Sequence, residues 1–256
     1  MLICNHCQHQ QDGGNFCENC GNSFTEQVHN SDEEVAATTS TNTTKGSQAE
    51  NVKYHLKNYM DYFVTILKNP NVSLKQPDSS FINGIMTLII LSIAVSLGSY
   101  FLLNGIYKQA FGSFMAESSL PFFEVFFRFL ITSVLILFAG LASLTIILKF
   151  GKVELTFKRI LAQYGALSVP FTAISVLTIL SGLIGAVGLT TTLLLASISA
   201  FIAIAPILLS FHHLSKNNSN QYVYLTLGSY FITAIIIYIM FRIFLSNTLE
   251  QFNGVI

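Results

Sequence analysis

The chain has 256 residues, of which 52% are hydrophobic and only 10% charged, and its mean hydropathy is +0.57. A soluble domain carries about 25% charged residues, so this composition excludes an ordinary water-soluble globule. The formal net charge of zero is a cancellation: residues 1–50 hold seven acids and one base, and the remainder holds twelve bases and six acids, an acidic head on a basic, apolar body.

The head, residues 1–24, contains every cysteine of the chain. Cys4-x₂-Cys7 and Cys17-x₂-Cys20 form two tight turns, each aiming two thiolates at one point, and together they complete a tetrahedral S₄ shell. Gly21 supplies the permissive backbone such a knuckle wants, and Gln8 stands at the matching place of the first pair. Gly13 and Gly14 suit a turn between the knuckles, with Phe16 and Phe24 able to cover the metal. A segment this short cannot fold on a hydrophobic core. Zinc supplies about 10–16 kcal/mol in comparable small sites. The expectation is a zinc ribbon holding one structural Zn²⁺ through Cys4, Cys7, Cys17 and Cys20. Iron in the same shell and a pair of redox-active thiols are the alternatives. His6 and His9 receive no role.

A closed four-thiolate shell leaves no position for substrate, so the site is structural rather than catalytic. The head is acidic, and the thiolates add further negative charge, which repels phosphate. A protein partner is expected, and no nucleic acid. The first thirty residues lack the basic start and apolar core of a signal peptide. The N-terminus is therefore expected in the cytosol, where disulfides do not persist.

Residues 25–52 are polar, rich in Thr, Ser and Asn, and read as a flexible linker with a root-mean-square span of about 30 Å. In residues 53–69, Leu56, Tyr59, Met60, Phe63, Ile66 and Leu67 recur at helical spacing, with Lys53, Lys57, Asp61 and Lys68 mainly between them. This predicts an amphipathic interfacial helix ending before Pro70, lying on the inner leaflet or packing on a helix bundle.

Five apolar runs follow within residues 81–245, each near the 20 residues needed to cross a bilayer: Phe81–Leu103, Phe122–Leu148, Ile160–Leu180, Leu189–Phe211 and Tyr222–Leu245. The predicted fold class is an all-α polytopic membrane protein with five transmembrane helices and a small N-terminal zinc ribbon. Lys53, Lys57, Lys68 and Lys75 precede the first span, and Lys149, Lys152, Lys158 and Arg159 lie in the second-to-third connection. Lys216 follows the fourth span, and the intervening loops are neutral. The positive-inside rule then places the N-terminus inside and the C-terminus outside a cell membrane, with Arg242 mildly against it.

Polar groups within the spans are few. Glu124 and Arg128 stand four residues apart and read as interfacial residues that snorkel outward. Pro170 and Pro206 are expected to bend the third and fourth spans. Gly182, Gly185 and Gly188 are expected to tighten the turn between them, and small residues along 168–199 to let helices approach closely. Gln163, Tyr164 and Thr172 are the candidates for a polar path, and His212 and His213 read as helix-end groups. No HExxH, GxSxG, Walker A or GxGxxG motif occurs, so no enzyme is expected.

Phe157, Leu161, Ala162, Tyr164 and Pro170, in "FKRILAQYGALSVPFTAISVLTILSGLIG", resemble the central part of the Yip-type (Rab-interacting) membrane family. That resemblance implies a cytosolic N-terminus and five spans. The whole layout is similar to zinc-ribbon membrane proteins of low-GC Gram-positive bacteria. The expected role is a non-enzymatic scaffold or adaptor, recruiting a cytosolic partner through the zinc ribbon, with homo-oligomerisation left open. The alternatives are a transport or permease-like role of the five-helix domain, and zinc or redox sensing.

Overall fold

Uncharged runs of this length can satisfy their backbone in lipid only by closing it on itself as helix. That is what they do in the computed structural model, which describes residues 2–3, 10–11, 45–111, 120–217 and 221–253. The chain divides into two units, Met1–Gln48 and Ala49–Ile256. In the first, strand β1 (Leu2–Ile3) pairs antiparallel with β2 (Gln10–Gln11), Leu2 opposite Gln11 and Ile3 opposite Gln10.

Seven helices follow: α1 (Lys45–Lys68), α2 (Phe81–Phe111), α3 (Phe122–Phe150), α4 (Phe157–Leu167), α5 (Val169–Leu183), α6 (Val187–Lys216) and α7 (Tyr222–Asn253). Two short 3₁₀ turns, Pro70–Lys75 and Asp78–Ser80, connect α1 to α2. Four segments are long and apolar enough to cross a membrane: Asp78–Phe111, Phe122–Phe150, Val187–Lys216 and Tyr222–Arg242. The pair α4–α5 makes a fifth when counted as one span, and it bends by 45°. The protein is a multi-pass α-helical membrane protein.

The run expected as the third span is thus divided between α4 and α5. The break falls at Ser168, two residues before Pro170, which sits in the first turn of α5. Proline lacks an N–H and its ring clashes with the carbonyl four residues back, so the upstream helix ends there. Pro206 behaves differently, for α6 runs through it without a break. Among the turn glycines only Gly185 needs its special freedom, at φ +73°; Gly182 lies in α5 and Gly188 in α6.

Helix α1 starts at Lys45, so residues 45–52 belong to helix and not to the flexible linker. Gln48, Ala49 and Glu50 are good helix formers, which explains the extension. Its inward face is Tyr59, Tyr62, Phe63 and Ile66, packed on Ala166 and Val169, with the Tyr59 hydroxyl 3.1 Å from that of Thr87. Burial pushes the Tyr59 pKa up, and the Thr87 bond offsets part of that rise. Leu56, Met60 and Leu67, expected on the same face, are exposed.

Helix α2 lies against α3, α4, α5 and α6, and α7 against α3 and α6. The core holds Leu91, Leu144, Leu148, Ile160, Tyr164, Phe201 and Leu209. Helices α2 and α4 cross closely, where Gly84 meets Gly165 backbone to backbone. A methyl group on Gly165 would collide with the Gly84 backbone, and neither main chain can swing aside. Overpacking of this kind costs about 1–3 kcal/mol. Gly165→Ala should therefore lower the thermal unfolding midpoint of the detergent-solubilised protein by several degrees. Gly188→Ala, where nothing lies within 4 Å, should leave it unchanged or slightly raised.

Candidate functional site

Gln163 of α4 is a buried primary amide, 2% exposed. Its Nε2 donates to the carbonyls of Leu74 (2.9 Å) and Gln76 (3.4 Å), while its Oε1 accepts from His213 Nε2 at 2.7 Å. One amide thereby ties the 3₁₀ turn before α2, the middle of α4 and the end of α6. Beside it, the Thr156 hydroxyl donates to Asp78 at 2.5 Å and accepts from the Arg159 N–H, capping α4. Arg159 lies 3.9 Å from Asp78. Asn217, just past α6, donates to the carbonyls of Gly151 and Lys152 at 3.1 and 3.2 Å. Lys152 itself turns the chain with φ +54°.

This end of the bundle carries exposed cations from three separate connections: Lys75, Lys149, Lys152, Lys158, Arg159 and Lys216, against Asp78 and Glu154. Such a belt can attract anions and hold headgroups.

The three polar residues expected to line a path are used for packing. Gln163 is the staple just described. The Tyr164 ring lies against Phe201, at 5.2 Å between centroids, with its hydroxyl over Gly140. Thr172 bonds back to the Ser168 carbonyl of its own helix at 2.9 Å. His213, read from sequence as a helix-end group, does lie in the last turn of α6 and is also the partner of Gln163. No local signal could have revealed this, because the two are 50 residues apart. Glu124 and Arg128 are exposed in the first two turns of α3.

The membrane-spanning helices are zipped by hydroxyl pairs. Ser143 meets Thr233 across α3–α7 at 2.5 Å, and Ser210 meets Ser229 across α6–α7 at 3.2 Å. Between α5 and α6, Ser175 meets Ser197 at 2.7 Å and Thr190 donates to Ser181 at 2.9 Å. Each such bond in a membrane is worth about 0.6 kcal/mol on average. Their number, more than any one of them, fixes the packing.

The expected metal ligands Cys4, Cys7, Cys17 and Cys20 lie outside the described residues. So do residues 12–44, which hold most of the expected linker. What is described is the strand pair β1–β2, whose residues flank the segment carrying Cys4 and Cys7.

Residues 49–251 match the model of a family described as a domain of unknown function, DUF6574, and the chain belongs to that family. It is also similar to a protein of Bacillus subtilis (strain 168) named "Uncharacterized protein YvbI", with 29% identity over 235 residues, covering 91% of this chain and 92% of the relative. No solved structure matches the chain.

Removing the Gln163 amide should strand the Leu74 carbonyl and His213 together. An unsatisfied buried polar group costs about 1–3 kcal/mol. Gln163→Leu is expected to lower the unfolding midpoint and to raise hydrogen exchange selectively across residues 70–80, while exchange in α7 stays as it was.

Proposed function

We propose, for this member of the DUF6574 family, an anchored adaptor. The acidic head holds one structural Zn²⁺ through Cys4, Cys7, Cys17 and Cys20 and contacts a cytosolic protein, while the helical bundle fixes it to the membrane. The reading includes no catalytic step. It takes the bundle as Yip-like in layout, with the N-terminus in the cytosol and the C-terminus outside.

The observation that carries the reading is the pairing of β1 with β2. A zinc knuckle needs the chain on either side of its C-x₂-C turn to run back on itself, and Ile3 opposite Gln10 provides that on either side of Cys4 and Cys7. The thiolates then supply the folding energy that so small a segment lacks. Two features of the bundle agree. Four pairs of its buried hydroxyls join neighbouring helices, as an anchor requires. Its cation belt gathers at one end, which supports a cytosolic assignment for that end by the positive-inside rule.

The test is a comparison of full-length protein with the Cys4→Ser/Cys7→Ser variant, purified from membranes in mild detergent. Metal content and bound proteins are measured in the same samples. About one zinc per chain and a specific set of bound proteins should both be lost in the variant, with membrane insertion intact. Loss of zinc with unchanged binding would move the function to the bundle, and absence of zinc from the wild type would remove the ribbon.

A further inference from the structure

We propose that the protein carries a dedicated site for an anionic phospholipid, with one acyl chain in a groove between α2 and α3 and the phosphate on Lys149 and Lys158. This inference is independent of the adaptor reading, because it uses no residue of the head.

The groove has a volume of about 520 Å³, inside the roughly 300–1,000 Å³ range of small-molecule pockets. One wall is Ile85, Leu88, Ile89 and Ile93 of α2, and the other is Leu130, Val134, Leu137 and Phe138 of α3. Tyr164 and Leu161 of α4 form its floor at one end. From Ile85 to Ile93 the wall rises about 12 Å along the helix, close to the half-thickness of a ~30 Å hydrocarbon core. That is the depth one acyl chain of a single leaflet reaches.

What distinguishes this groove from ordinary lipid-facing surface is its mouth. A second depression, sharing Phe138, Leu141 and Phe157 with the first, continues it to Lys149 at the end of α3. The residue after Phe157 is Lys158, whose ammonium lies 5.8 Å from the centre of the Phe81 ring at the start of α2. Two cations therefore stand at this end of the apolar slot, Lys149 lining the second depression and Lys158 next in the chain to the shared Phe157. The ion pair found among the described residues is Arg159 with Asp78, so neither lysine is neutralised by a described acid. The connection 149–159 holds four cations against the single acid Glu154.

An apolar slot with a divided cationic mouth fits a diacyl phospholipid carrying net negative charge. A zwitterionic lipid brings a cation of its own to the mouth and loses the advantage. A soluble phosphate ester gains the lysines but not the groove.

Full-length protein in mild detergent is offered phosphatidylglycerol and phosphatidylcholine with the same acyl chains, and retained lipid is read by native mass spectrometry. The wild type should retain phosphatidylglycerol at least fivefold over phosphatidylcholine. Lys149→Gln/Lys158→Gln, at two exposed positions, should bring the two lipids level, while Lys53→Gln/Lys57→Gln on α1 preserves the preference. Ile93→Trp, which fills the deep end and keeps both cations, should reduce retention of both lipids severalfold. It also gives an independent reading should the double variant fail to accumulate. Equal retention of the two lipids by the wild type would overturn the proposal. So would an unchanged preference in the Lys149/Lys158 variant, undiminished retention in Ile93→Trp, or displacement of phosphatidylglycerol by an equal concentration of glycerol phosphate.

Discussion

Inside a bilayer a polar atom has no solvent to turn to, and this constraint organises the whole bundle. The helices are rich in serine and threonine, and most of the described buried hydroxyls bond a carbonyl one turn back or a group on the next helix, with Thr226 of α7 the exception. Apolar packing alone discriminates weakly between arrangements when lipid tails are as greasy as leucine. The hydroxyl pairs and the glycine crossing of α2 with α4 supply what hydrophobicity cannot, namely register. Gln163 is the strongest case, for a buried primary amide has several bonds to satisfy and finds them in two backbone carbonyls and one imidazole.

Much of this was legible in the sequence because it depends on local chemistry. Run length identifies the spans, since backbone satisfaction in lipid leaves little choice, and the chain break near Pro170 follows from a missing N–H. The inward face of α1 was legible only in part. Leu56 and Met60 share the helical spacing of Tyr59 and Phe63, and periodicity cannot say which half of a wide apolar arc meets protein. The Gln163–His213 bond was not legible at all, as it joins residues that only the fold brings together. The expected metal site is a different case. Its two matched C-x₂-C pairs are read from spacing alone, the four cysteines lie outside the described residues, and what is described beside them is the strand pair flanking the first.

Helix α1 shows how one amphipathic segment can have two apolar faces with different neighbours. Tyr59, Phe63 and Ile66 seat it on the bundle near the α4–α5 break, and Leu56, Met60, Val64 and Leu67 form an adjoining exposed stripe. A helix of this kind is at home where protein, acyl chains and headgroups meet, with Lys57, Asp61 and Lys68 on its remaining side.

The position of Gln163 also bears on how the chain assembles during synthesis. Its carbonyl partners lie 89 and 87 residues earlier in the chain, and its imidazole partner 50 residues later. When α4 leaves the ribosome, the turn before α2 is already made and can take the amide donors at once. The acceptor oxygen has to wait until the end of α6 has been translated. The broken third span, which opens with Lys158 and Arg159 and buries a glutamine, is the least hydrophobic of the set and the worst suited to entering lipid unaided. On emerging, α4 can meet α2 and α3, both already made, and the Gln163 bonding set is complete only when His213 at the end of α6 follows.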